Sequence, residues 1–159
     1  MKKKPILFMT QAAIIAAIYV VLTIIFEPIS FGEIQVRIAE ALTILPYFTP
    51  AAIPGLFVGC LIGNIFGGVL ADMIFGSLAT LIGACFTYLL RKKNKFLAPL
   101  PPVVANAVII PFVLYYAYGI NLPIPFMMLT VGIGEILSSG VLGIILLSTL
   151  QRYQYRIFE

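Results

Sequence analysis

The stretch ADMIFGSLATLIGACFTYLLRKKNK, residues 71–95, decides the fold class. From 71 to 90 the only charged residue is Asp72, at the start; four of the next five residues are Arg91, Lys92, Lys93 and Lys95. A helix that crosses a bilayer needs about 20 mainly apolar residues. Lysine and arginine collect on the cytoplasmic flanks of such helices. The stretch therefore reads as a membrane span that stops on a cytoplasmic anchor.

The rest of the chain follows the same rules. Its 159 residues are 62% hydrophobic and 10% charged, with no histidine. Soluble domains are about 45–50% apolar and about 25% charged. This composition argues against a soluble globular domain, and with it against nucleic-acid modules, secreted disulfide scaffolds and most soluble enzymes. Proline, glycine and charge divide the chain into apolar runs at 5–26, 33–48, 51–66, 71–90, 99–118 and 126–150. Backbone groups in lipid must be satisfied internally, so these runs are expected to be helices rather than open strands. The expected architecture is one all-α integral membrane domain over residues 1–159, with six transmembrane helices. The basic start and first run look like a secretory signal. However, the run exceeds a usual signal core and no small-residue cleavage site follows it, so it reads as an uncut first helix. The second run is only about 24 Å long as an α-helix, against a core of about 30 Å. Its outer half is not expected to face lipid.

Nine of the ten basic residues lie in three segments: Lys2, Lys3 and Lys4; the 91–95 cluster; and Arg152 with Arg156. Six crossings place all three on one side. The loops at 27–33, 67–68 and 119–125, on the other side, carry no lysine or arginine. The positive-inside rule then puts both termini in the cytoplasm.

Polar groups inside spans cost roughly 2.5–3.5 kcal/mol each at a helix centre, and persist where they face a cavity or a partner. Here they are Glu33, Arg37, Glu40, Asn64, Asp72, Asn106 and Glu135. The topology puts the first five in the outer third, Asn106 near mid-depth, and Glu135 about 14 Å below the outer end of its helix. The inner halves hold few polar groups. The pattern describes a polar cavity open to the outside above an apolar floor, and a continuous pore would need polar lining throughout.

Each residue also has a structural role open to it. Glu33, Arg37 and Glu40 are spaced to pair along one helix face. Asp72 follows a Gly-Gly turn, as a helix N-cap does. Asn64 and Asn106 are suited to bonds between helices. Glu135 is set among Gly132, Gly134, Ser138, Ser139 and Gly140, which leave room for a ligand; a protonated glutamate, or one paired with Arg37, in a packed core is its alternative. Cys60 and Cys85 lie inside apolar runs and read as packing residues, not a disulfide or metal site. No metal or cofactor is expected.

Small residues repeat at Ala12, Ala13, Ala16 and Ala17, and at Gly55, Gly59, Gly63 and Gly67. Such ladders allow close helix contact. For the glycines, internal packing is favoured. For the alanines, internal packing and an external docking face are both open. The chain has no G-x-x-x-x-G-K-[ST] phosphate loop, no G-x-S-x-G and no H-E-x-x-H. It is not expected to be an enzyme, and any uphill transport would draw its energy from another protein.

In size, span order and the alanine ladder, the chain resembles the substrate-binding S components of energy-coupling factor (ECF) transporters. FGEIQVRIAEALTILPYFTPAAIPGLFVGCLIGNIFGG, residues 31–68, is similar to the queuosine-precursor transporter family QueT. The resemblance implies an ECF S-component-like fold in a bacterial cell membrane. It implies docking through Ala12, Ala13, Ala16 and Ala17 on a T component that carries two cytoplasmic ATPases. It implies a 7-deazaguanine cargo, preQ1 or queuine. For such a solute, Glu135 or Glu40 would accept the guanine N1–H and 2-amino donors. Asn106, Asn64 or Arg37 would donate to O6 and N3, with Ser139 beside them. Phe31, Tyr47, Tyr115 and Tyr118 are aromatic candidates for the ring, or an interfacial belt. A cationic 7-aminomethyl group would favour a second carboxylate. The alternatives are an S component for another vitamin-like solute, such as riboflavin, thiamine or biotin, and a structural or channel-forming membrane protein.

Overall fold

The computed structural model describes residues 3–30, 36–66 and 70–154. Among these residues the structure is helical, without strands. Its elements are α1 (Lys3–Ile25), the short α2 (Glu27–Ser30), a 3-10 helix (Ile38–Tyr47), α3 (Ala52–Phe66) and α4 (Leu70–Leu90). After a 3-10 turn at Lys95–Leu97 come α5 (Leu100–Tyr116), α6 (Ile124–Glu135), a π-helical segment (Ile136–Leu142) and α7 (Gly143–Gln151). Among the described residues, four stretches are long and apolar enough to cross a membrane: Pro5–Ile25, Leu70–Leu90, Lys95–Tyr116 and Ile124–Gln151. Ile38–Tyr47 and Ala52–Phe66 are apolar but shorter. Large apolar side chains such as Ile25, Leu70, Leu89 and Ile145 are exposed around the bundle, as a lipid-facing surface requires.

The second apolar run departs most from expectation. It forms a 3-10 helix from Ile38, preceded by an extended Arg37 at φ −92° and ψ 101°. Pro46 lies inside it and has no N–H to give to an α-helical bond. Ten residues is long for a 3-10 helix, which rises about 2 Å per residue and seldom exceeds one turn. It persists because Ala39 to Pro46 are all buried by other helices. Irregular backbone at membrane depth is tolerated where protein surrounds it. The π-helical segment faces it, with Thr43 Oγ1 2.9 Å from Ser139 Oγ.

The glycine ladder packs α3 on α1. A Cβ built at Gly55 would lie 2.7 Å from the Ala12 carbonyl oxygen, and one at Gly59 2.8 Å from Tyr19 Cβ and 3.1 Å from Ala16 Cα. Only glycine fits at this spacing. Gly83 meets Pro102 of α5 equally closely, at 2.7 Å. The main core joins Tyr19, Ile44, Leu56, Cys60, Ala84 and Leu147. A second cluster, Ile110, Leu114, Met127 and Val131, holds α5 against α6.

Candidate functional site

Arg37, Glu40, Asn64, Asp72, Asn106 and Glu135 are all buried. Five separate parts of the chain supply them. Arg37 Nη2 pairs with Asp72 Oδ2 at 2.8 Å, and Arg37 Nη1 donates to Asn64 Oδ1 at 3.2 Å. Asn64 Nδ2 donates to the Asp72 carbonyl at 3.1 Å. This group ties the chain before the 3-10 helix to α3 and α4. Arg37 therefore bonds across the bundle. Asp72 is the third residue of α4 and an ion-pair partner rather than a helix cap.

One 3-10 turn beyond Arg37, Glu40 accepts a hydrogen bond from the Tyr19 hydroxyl of α1. Asn106 Nδ2 of α5 donates to Glu135 Oε1 of α6 at 3.1 Å. The 3-10 helix that carries Glu40 packs against the segment that follows Glu135, with Thr43 Oγ1 on Ser139 Oγ. Glu40 Oε2, Glu135 Oε2, Asp72 Oδ1 and the Tyr118 hydroxyl are buried, with no hydrogen-bond partner among the described residues. Unsatisfied buried polar atoms are rare in folded proteins, and a bound ligand is one way to satisfy them. Burial, aided by the nearby Asp72 charge, pushes the Tyr118 hydroxyl up to about 12, so it remains a protonated donor at neutral pH.

The other candidates sit as follows. Ser139 is buried with its hydroxyl on Thr43. Tyr115 is exposed and packs edge-on against Tyr116 at 5.0 Å, so it does not join the cluster. Tyr47 lies at the far end of the 3-10 helix, beside Phe48 and within 3.5 Å of Gln151, and is likewise remote. Phe31, Glu33 and Gly67 lie outside the described residues. The four alanines divide: Ala12 and Ala16 pack against α3, while Ala13 and Ala17 are exposed.

Two contributors carry weaker signals in the sequence. Tyr19 places a hydroxyl in the middle of an apolar span, which is a usable signal. Gly76 sits one turn after Asp72; a Cβ there would fall 2.9 Å from both Asn64 Nδ2 and Asp72 Oδ1. Its missing side chain lets Asp72 fold back along α4 to meet Arg37. Two grooves lie apart from the cluster and are apolar. One, of about 430 Å³, runs between α4 and α5 beside Phe75 and Phe112. The other, of about 380 Å³, is formed by α1, the 3-10 helix and α7 beside Ile18 and Leu146. Neither offers the array of donors and acceptors needed to read a polar heterocycle.

The model of the family described as "QueT transporter" matches residues 9–152. "Queuosine precursor transporter QueT" from Lactococcus lactis subsp. cremoris (strain MG1363) is 37% identical over 97 residues. The match covers 60% of this chain and 57% of that relative, little more than half its length. No solved structure matches the chain.

Proposed function

With residues 9–152 matched, the chain belongs to the QueT transporter family, and from that premise we propose that it is the solute-binding S component of an ECF-type importer. It captures a queuosine precursor, preQ1 or queuine, outside the cell, and partner ATPases drive the uptake. The apolar helices make it a multi-pass membrane protein, and a transporter family is not an enzyme class. In this proposal it crosses the bacterial cell membrane six times with both termini inside. The two shorter apolar helices, Ile38–Tyr47 and Ala52–Phe66, complete the six.

The observation that carries the proposal is the buried Asn106–Glu135–Glu40 group with its unpartnered carboxylate oxygens. A carboxylate offers about four lone-pair sites, so Glu135 can hold Asn106 and still accept the N1–H and 2-amino donors of a 7-deazaguanine. Arg37 and Asn64 supply donors nearby. The T component docks on the exposed Ala13 and Ala17 side of α1. Native mass spectrometry of the detergent-purified protein tests the proposal, with 7-deazaguanines, guanine and vitamins offered together. Retention of a 7-deazaguanine is expected. Retention of a vitamin would keep the transporter class and overturn the cargo.

A further inference from the structure

Glu40 and Glu135 are two buried carboxyl groups whose oxygens are only partly satisfied. They are 1% and 4% exposed. One oxygen of each is held by a neutral donor, the Tyr19 hydroxyl for Glu40 and the Asn106 amide for Glu135. The second oxygen of each has no hydrogen-bond partner among the described residues. Among the described residues, Arg37 is the one guanidinium in the cluster, and Asp72 already meets it at 2.8 Å. With every carboxyl group ionised, three carboxylates against one guanidinium give a formal charge of −2 for Glu40, Asp72, Glu135 and Arg37 together. An uncompensated charge in a low-dielectric interior is costly, and neutral donors do not cancel it.

A neutral heterocycle edge with two adjacent N–H donors satisfies one carboxylate, and the other is left over. We infer that Glu40 is the counter-ion of a protonated amine on the solute, while Glu135 with Asn106 takes the neutral base edge. This assignment rests on the solute-binding role proposed above. Tyr19 supports the division. Its hydroxyl holds the first Glu40 oxygen and so orients the second. The phenol stands on α1, away from the α5–α6 pairing that presents Glu135. The site would therefore select by charge as well as by shape. A 7-deazaguanine with a 7-aminomethyl group is retained; one with a neutral 7-nitrile leaves the buried Glu40 charge unpaired.

The test compares these two compounds on the full chain in detergent by calorimetric titration, for the parent and for Glu40→Gln. The parent is expected to bind the aminomethyl compound at least about tenfold more tightly, since hydrogen bonds to charged groups exceed neutral ones by that order. In Glu40→Gln the preference should collapse towards equality as amine affinity falls and nitrile affinity is kept. Equal binding of both compounds by the parent overturns the amine subsite but leaves a 7-deazaguanine site standing. A preference that survives in Glu40→Gln overturns the assignment to Glu40. Binding of neither compound overturns this inference and the cargo beneath it. If Glu40→Gln does not fold, the parent's ratio still decides whether the site selects an amine.

Discussion

Arg37 Nη2 lies 2.8 Å from Asp72 Oδ2, and this ion pair anchors the start of the 3-10 helix that carries Glu40. Both side chains are buried, and Asn64 closes the triangle at 3.2 Å from Arg37. Breaking a buried pair by removing one partner strands a charge and costs about 3–5 kcal/mol. Arg37→Met is therefore expected to lower the melting temperature strongly and to abolish solute binding. The double variant Arg37→Met/Asp72→Leu should recover much of the stability and none of the binding. Thermal unfolding in detergent beside ligand titration separates the two effects, and recovery of binding in the double variant would make the pair dispensable.

Glu135→Gln keeps a carbonyl oxygen for Asn106 but replaces the free acceptor with an amide donor. In the proposed site the substitution removes a charged hydrogen bond to the solute, worth about 1.5–3 kcal/mol, so affinity should fall roughly ten- to a hundredfold. The melting temperature should hold or rise, because a buried negative charge has been removed. Unchanged affinity in the folded variant would place the solute elsewhere.

Gly76→Ala puts a methyl group 2.9 Å from Asn64 Nδ2 and Asp72 Oδ1. Overpacking of this kind costs about 1–3 kcal/mol, and here it also pushes Asp72 away from Arg37. Gly140→Ala is the control. Its added Cβ meets nothing closer than Ile136 Cγ2 at 3.7 Å, and alanine is favoured over glycine in helices by about 1 kcal/mol. Stability and solute affinity should both fall in the first variant and hold in the second. Equal melting temperatures would show that the Asp72 side chain has room to move.

Ala13 and Ala16 of α1 should respond differently to leucine. Ala16 is buried, its Cα 3.1 Å from a Cβ built on Gly59. Ala16→Leu should destabilise the isolated protein by about 1–3 kcal/mol. Ala13 is exposed, so Ala13→Leu should leave folding and solute binding intact. It should abolish uptake by the assembled importer if this face docks the T component. Full uptake with Ala13→Leu would move the docking face elsewhere.

In the proposed topology, which has both termini cytoplasmic, a cysteine at Asn121 should react with an impermeant maleimide in intact cells and one at Lys93 should not. Labelling at Lys93 would invert the topology.

The membrane class and the long spans were legible in the sequence because they depend on local quantities. Leu70–Leu90 needs only its own apolar length and the basic residues after it, and the same holds for Pro5–Ile25 with the basic residues before it. The polar residues of the cluster were legible too, since charge within an apolar run stands out whatever the fold. Their partners were not. The sequence offered Arg37 neighbours one helical turn away, whereas two of its partners in the fold, Asn64 and Asp72, are 27 and 35 residues distant. Tyr47 and Tyr115 met the same criterion of an aromatic near a span end, yet the packing turned both away.

By itself the sequence determined where the chain is apolar, where it is basic and which few polar side chains must be sheltered from lipid. These follow from transfer free energies that each segment carries alone. Only the tertiary structure decided that the second apolar run is a buried 3-10 helix. It also decided that Ala12 and Ala16 serve α3 while Ala13 and Ala17 stay exposed, and that Asn106 bonds Glu135 while Tyr19 bonds Glu40. Those outcomes depend on which helices lie side by side. Close approach at Gly55, Gly59 and Gly76, measured in tenths of an ångström, selects one packing from many that the same apolar pattern allows.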